Sequence, residues 1–346
     1  MPEGNPMSIL FDEIHQQPAA IERALTANAV GAKALVDEIK KRDIRYVIFA
    51  ARGTSDNAAT YAKYLWQITA GLPCGLAAPS VHTLYGANVA FRDALVVGIS
   101  QSGAGEDINE VITQAKAAGA LTAAITNTPT SALAGIADHV LFCEAGVEKA
   151  VAATKTYTTT LAILAQLGAL LGGDQTLLEC VNRLPQAAAE TLAMLPGRIE
   201  PVASTLYHAE RMVTVARGLH LCTAIESSLK IAETTGTATQ SYSSADLLHG
   251  PIAAVGRRTP VLVFQPGGAT FESLNGVVDK LNDRGARVIR INANENADIP
   301  LHTSESELLA PVVDILPAQL LAYHLTVTRG LDPDQPNGLS KVTITR

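Results

Sequence analysis

Three side chains past the middle of the chain are spaced for proton chemistry. Glu226, Lys230 and Glu233 stand at i, i+4 and i+7, which is one face of a helix. Ile225, Leu229, Ile231 and Ala232 flank them with apolar surface. A carboxylate beside a lysine in a semi-apolar cleft is a natural proton-transfer pair. The same spacing also describes an exposed Glu–Lys pair worth about a few tenths of a kcal/mol. A second group suits an anion. In "VVGISQSGAGEDINE" (Val96–Glu110) an apolar strand runs into Ser100-Gln101-Ser102-Gly103 and continues as a helical pattern. Open α/β sheets bind ligands where a strand's carboxyl end meets a helix's amino end. The helix dipole there, roughly half a positive charge, and the free N–H groups favour a phosphate. A helix cap would need only one of these serines.

Three further positions carry chemistry with an ordinary alternative beside it. Thr54 and Ser55 lie at a neighbouring strand-to-helix turn, where they can meet sugar hydroxyls or phosphate; Ser55 and Asp56 are also good caps. His249 follows "YSSADLL", whose Ser243 or Ser244 can cap a short helix, and precedes Gly250-Pro251; it is either an oriented acid/base or a structural histidine. Lys341 sits in "DQPNGLSKVTITR", where a lysine is usually solvated, although Val342 and Ile344 alternate as in a strand that folds back. The chain has neither G-x-x-x-x-G-K-[ST] nor G-x-G-x-x-G, which argues against a P-loop or dinucleotide fingerprint. Its eight histidines show no i, i+4 pairing and no cysteine partners, so a metal site is not expected.

The elements that must hold these residues read as repeated β-α units. Tyr46–Ala50, "DALVVGIS", "LTAAITN" and "DHVLFCEAG" are short apolar runs separated by helical segments starting near Asp56 and spanning about Glu106 to Ala118. A long helix is expected from about Lys155 to Leu171. The second half repeats the first. Ala51-Arg52-Gly53 returns as Ala216-Arg217-Gly218, and "VVGISQSG" faces "VLVFQPGG", both 165 residues on. "AAGALTAAI" faces "DRGARVIRI" at 166. Both copies keep the turn glycine, but Ser100, Gln101 and Ser102 become Gln265, Pro266 and Gly267. The serines are therefore not required by the fold. The organisation expected is an α/β chain of two similar doubly wound parallel-sheet lobes in tandem. Residues 1–31 form a helical segment, 32–172 the first lobe, 173–205 a helical linker, 206–330 the second lobe and 331–346 a tail.

Composition agrees. At 346 residues the chain is long for one core, and 47% apolar residues against 17% charged supply two. The net charge of −7 argues against nucleic-acid or anionic-membrane partners. Cys74, Cys143, Cys180 and Cys222 are far apart and read as reduced thiols. With no basic-then-apolar leader, the expected location is the cytoplasm. The segment Leu161–Gly173 is too short to span a bilayer and reads as a core helix.

"ARGTS", "SQSG", "AGVEKAVAATKTYTT", "AIESSLKIAE", "LLHGPIA" and "DQPNGLSK" occur in this order over nearly the whole chain. Together they resemble the double sugar-isomerase (SIS) family, with flavodoxin-like lobes, and within it the isomerase half of glucosamine-6-phosphate synthase and stand-alone relatives. The resemblance implies a phosphorylated sugar as substrate and no cofactor. It implies that Ser100, Gln101 and Ser102 clamp phosphate and that Thr54 and Ser55 contact sugar hydroxyls. Glu233 resembles the carboxylate that moves a proton between C1 and C2. Lys230 resembles the lysine assisting at the adjacent hydroxyl, with Glu226 beside it. His249 resembles a ring-opening acid/base contributed by the neighbouring subunit of a homodimer, and Lys341 a tail lysine that closes on the open-chain sugar.

The departures are local. Gly105 stands where the synthase has a third phosphate hydroxyl, and Ala153 where it has a serine touching the sugar. Met1-Pro2 opens the chain and Cys74 lies inside the first lobe, so a glutamine-hydrolysing domain with its leading cysteine is not expected. The resemblance then points to a deaminase-type isomerase acting on glucosamine 6-phosphate. The alternatives are a fructosamine 6-phosphate deglycase, the isomerase subunit of a glutamine–fructose-6-phosphate transaminase, and a non-catalytic phosphosugar sensor.

Overall fold

Strands form where the sequence places short apolar runs between helical segments. The computed structural model describes residues 8–294 and 296–341. Its first sheet contains β1 (Tyr46–Ala50), β2 (Cys74–Leu76), β3 (Ala94–Ile99), β4 (Leu121–Thr126) and β5 (His139–Phe142). All are parallel, in the order β2-β1-β3-β4-β5. The second sheet contains β6 (Arg211–Ala216), β7 (Ala238–Ser243), β8 (Pro260–Phe264), β9 (Arg287–Asn292) and β10 (Ile299–Pro300). Read from the β7 edge its order is β7-β6-β8-β9-β10, the same topology. The repeat holds in register: β1 and β6 start 165 residues apart (46 and 211), β4 and β9 start 166 apart (121 and 287).

Every residue of β3 and β4 is buried, as in a parallel sheet covered on both faces. Val96 and Ala124 pack with Val111 and Ile112 of helix Glu106–Ala117 and with Leu133. In the second sheet Val215, Val261 and Val263 pack with Leu274 and Val278 of helix Phe271–Asp283. The long helix Lys155–Gly172 is buried over most of its length, and the apolar stretch Ala310–Thr328, long enough to cross a membrane by composition, is 83% buried as a core helix is.

Three strands escape the pattern of apolar runs. β2 and β10 have three and two residues, and β7 reads Ala-Thr-Gln-Ser-Tyr-Ser. All three are sheet edges, where short or polar strands discourage unwanted pairing. At the amino end, helices Ile9–His15 and Gln17–Lys41 carry helical structure past residue 31. Helices Gln175–Asn182, Leu184–Met194 and Glu200–Thr205 follow the first sheet. The strand pattern at Val342 and Ile344 lies outside the described residues.

The chain divides into two compact units that are not continuous in sequence. Of the described residues, 19–146 and 156–185 form the unit of the first sheet; 8–18, 147–155 and 186–341 form the unit of the second.

Candidate active site

In the unit of the first sheet, β3 delivers the chain to Ser100, whose N–H still donates to the Ile125 carbonyl at 3.1 Å. The turn then closes on its own hydroxyls. Ser100 Oγ accepts from the Gly103 N–H (3.1 Å) and Ser102 Oγ from the Ala104 N–H (3.3 Å). Gly103 has φ +60°, and a Cβ there would lie 2.3 Å from Ser131 Oγ, so glycine is required twice over. The Gln101 carbonyl accepts from the Asn127 N–H at 3.0 Å and ties this corner to the next loop. Ser100, Gln101 and Ser102 remain half-buried. Each serine accepts one hydrogen bond here and retains an O–H to donate.

The cap reading of these serines fails. Helix Glu106–Ala117 is preceded by Gly105, and no side chain caps it. Likewise helix Thr54–Ala70 starts two residues before Asp56, after Gly53, without a side-chain cap. Thr54 and Ser55 are thus the first two helical residues, both half-buried. Arg52, in the Ala51-Arg52-Gly53 turn, donates from Nε to Asp107 Oδ2 at 2.8 Å. Asp107 is buried in the first turn of helix Glu106–Ala117, and the guanidinium offsets a carboxylate that would otherwise repel an anion. Burial pushes the Asp56 carboxyl up, with Arg52 and Lys63 acting against it.

The unit of the second sheet holds the titratable residues. Helix Leu221–Thr235 follows the Ala216-Arg217-Gly218 turn and carries Glu226, Lys230 and Glu233. Their side chains are 0%, 3% and 26% exposed, so they are not a solvated surface pair. Lys230 Nζ lies 2.5 Å from Glu233 Oε2 and 3.4 Å from Glu226 Oε1. Burial pulls the Lys230 ammonium down, but Glu226, Glu233 and Glu148 outweigh it and raise it above the ordinary lysine value. Lys230 therefore stays a cation, and Glu233 is the member of the set that reaches solvent. Glu233 lines a cleft of about 430 Å3 with Thr234, Gly236, Asp332, Gln335 and Asn337.

The tail lysine is not solvated either. Lys341 Nζ donates to Glu148 Oε2 at 2.9 Å and to the Ala150 carbonyl at 2.7 Å. Glu148 belongs to the loop 147–155, which also holds Ala153, itself half-buried. That loop is fixed from helix Ile9–His15: Glu13 accepts from the Lys149 and Ala150 N–H groups at 2.6 and 3.3 Å. Lys155 Nζ donates to Gln16 Oε1 and the Val147 carbonyl. Glu148 sits in a quoted motif, yet the sequence offered no signal for its burial.

His249 ends helix Ser244–Leu248, which Ser243 caps by accepting from the Asp246 N–H at 3.3 Å. The imidazole is exposed. Among the described residues no hydrogen bond or ion pair joins it to Glu226, Lys230 or Glu233. Chemically, one unit offers a hydroxyl-lined corner for an anion, and the other offers a carboxylate backed by a buried ammonium on a cleft.

The pattern that defines the SIS domain matches residues 42–170 and 205–329. Over 342 residues the chain is 33% identical to the isomerizing glutamine–fructose-6-phosphate aminotransferase of Methanothermobacter thermautotrophicus. That match covers 96% of this chain and 56% of the relative, so the chain spans about half the relative's length. The solved C-terminal domain of glucosamine-fructose-6-phosphate aminotransferase from Francisella tularensis superposes with a TM-score of 0.86 at 28% identity, covering 97% of this chain and all of that one. The glucosamine-6-phosphate deaminase of Thermotoga maritima superposes with a TM-score of 0.80 at 23% identity, covering 98% of this chain and 100% of that one, a likeness of fold.

Proposed function

The chain belongs to the SIS-domain family and is of its sugar-phosphate isomerase kind; from that premise we propose that it deaminates glucosamine 6-phosphate to fructose 6-phosphate and ammonia. The observation that carries the reading is the Glu233–Lys230 contact: a carboxylate on a cleft, 2.5 Å from a buried ammonium that Glu226 and Glu148 also help keep charged against burial. In this reading the Ser100–Ser102 corner takes the phosphate and His249 opens the ring. Glu233 removes the C2 proton from the open-chain aldose and returns it to C1. Lys230 donates to the oxygen that gains negative charge. The amine-bearing carbon becomes an imine, and water hydrolyses it to the ketose with loss of ammonia. This direction uses only a base, an acid, an anion cradle and water.

The test mixes the protein with glucosamine 6-phosphate and follows ammonia and fructose 6-phosphate. Equal amounts of both are expected, without glutamine and with no change on adding chelator. Binding without either product favours a sensor, and turnover of amine-substituted fructose 6-phosphates alone favours a deglycase. The 33% identity to an aminotransferase supports a second reading, in which the same residues run the reverse reaction with ammonia delivered by another polypeptide. Fructose 6-phosphate with ammonium salts then yields glucosamine 6-phosphate faster than the opposite reaction proceeds. The reading also assigns His249 to the neighbouring subunit's site. Co-assembled Glu233→Gln and His249→Ala chains should then recover activity that neither has alone; no recovery in verified heterodimers would place each site in one chain.

A further inference from the structure

Glu148 takes no part in the proton transfer assigned above, yet its side chain is fully enclosed. An enclosed charge is tolerated only when it is paired and hydrogen-bonded. Oε1 accepts from the Thr154 N–H at 3.0 Å, and Oε2 accepts from Lys341 Nζ at 2.9 Å, a residue 193 positions away. The tail that brings Lys341 is pegged at a second point. Asp334 accepts from the Ile9 and Leu10 N–H groups, and its carbonyl accepts from the Val151 N–H. Between these two pegs lie Gln335, Pro336, Asn337 and Leu339, which form one wall of the cleft on which Glu233 stands. Charges around Glu148 include Lys341 from the tail, Lys230 from helix Leu221–Thr235 and Glu13 from helix Ile9–His15, and Lys155 pairs with Glu13 and donates to the adjacent Val147 carbonyl.

Resting on the isomerase reading, we propose that Glu148 is a positioning residue: one enclosed carboxylate that seats the tail lysine and thereby holds the tail as a wall of the cleft beside Glu233. Its field also reaches Lys230, so tail seating and the acid–base pair draw on the same negative charge. Glu148 does not line the cleft, and its bond to Lys341 is the contact through which it acts on the tail.

Amide exchange of the ligand-free protein tests the seat without reference to any substrate. Peptides covering residues 331–341 should exchange at least about tenfold faster in Glu148→Gln and in Lys341→Met than in the unaltered chain, as expected when a charge-assisted bond is lost. Unaltered exchange in Lys341→Met overturns the proposal, even if Glu148→Gln fails to fold. Kinetics supply the second readout. Each variant should lower kcat by about 10–100-fold, and the double variant should be no worse than the poorer single one, because both act through one contact. Additive losses, or an unchanged kcat with lowered thermal stability, overturn it as well. Should the unaltered protein release no ammonia, the deaminase reading falls while the exchange comparison still decides this one.

Discussion

The two corners that follow β3 and β8 differ in what fills them. Both end a central buried strand, and both turn on a glycine of positive φ, Gly103 at +60° and Gly268 at +98°. In the first, two serine hydroxyls close the turn and keep an O–H each for a ligand. In the second, the Ala269 N–H donates to Glu307 Oε2 at 2.8 Å, and a Cβ on Gly268 would lie 1.7 Å from that oxygen. The second corner holds a carboxylate supplied by its own chain where the first offers hydroxyls. The helices behind the Ala-Arg-Gly turns differ in the opposite sense. At the 165-residue offset, Glu226, Lys230 and Glu233 face Tyr61, Leu65 and Ile68. Each lobe keeps a polar group that the other lacks, and the duplicated fold requires neither.

The largest effect should come from the helix. Glu233→Gln should cut turnover by about 10²–10⁴-fold, measured as ketose phosphate formed, whereas Ile68→Gln, at the matching exposed position, should leave it unaltered. Equal losses would end the division of labour. Next is the corner. Ser102→Ala should weaken phosphosugar binding by about 1–3 kcal/mol in calorimetry, and Glu307→Ala should not; a loss in both would make the second corner a ligand site too. Stability sharpens the comparison further. Gly103→Ala should cost about 1–3 kcal/mol in urea unfolding, since φ is strained and Ser131 is held as the cap of helix Ala132–Ile136. Gly268→Ala meets chiefly the carboxylate of Glu307, with its Cβ at 3.3 Å, so adding Glu307→Ala should relieve part of its cost, leaving the φ strain and that Cβ contact.

The smallest effect is on acid stability. Asp138 lies in the unit of the first sheet; burial works against its charge, but bonds from Lys116 and Thr122 outweigh that and lower its pKa. Its contribution is present above the ordinary aspartate value, about 3.9, and is lost as pH falls through the folded value. The gap between the unaltered chain and Asp138→Asn, under about 1 kcal/mol for a partly exposed pair, should therefore close on acidification in denaturant midpoints. Asp314 in the other unit has the opposite sign: burial raises it against the His220 bond, so its contribution is present at low pH and lost as pH rises.

Much of this contrast is legible in the residues themselves. The apolar runs of β3 and β4 announce a sheet covered on both faces, and the constant offset announces two copies. Ser100 and Ser102 stand out because Gln265 and Gly267 replace them. The edges β2, β7 and β10 were not readable, since edge strands are stabilised by one neighbour and need no apolar run. Helix Thr54–Ala70 starts two residues before the expected start near Asp56, because Gly53 precedes it without a side-chain cap and the cap propensity of Ser55 and Asp56 is not used. Glu148 carries no periodicity or spacing, and the repeat that marks Arg52 gives no sign of its partner Asp107. Their weight comes from burial and from partners far along the chain, and neither quantity exists in a local window.

The pegging of Asp334 to helix Ile9–His15 also sets an order of events during synthesis. The helix's first N–H groups wait for a carboxylate translated 325 residues later. At about 5–20 residues per second that delay is roughly 16–65 s. By then residues 19–146 and 156–185, a complete unit with its own sheet, have all been made. Helix Leu316–Thr328, which packs on this helix with Tyr323 against Phe11, is made almost as late. Within residues 8–341, helix Ile9–His15 is thus made early and pinned only once Asp334 has been made.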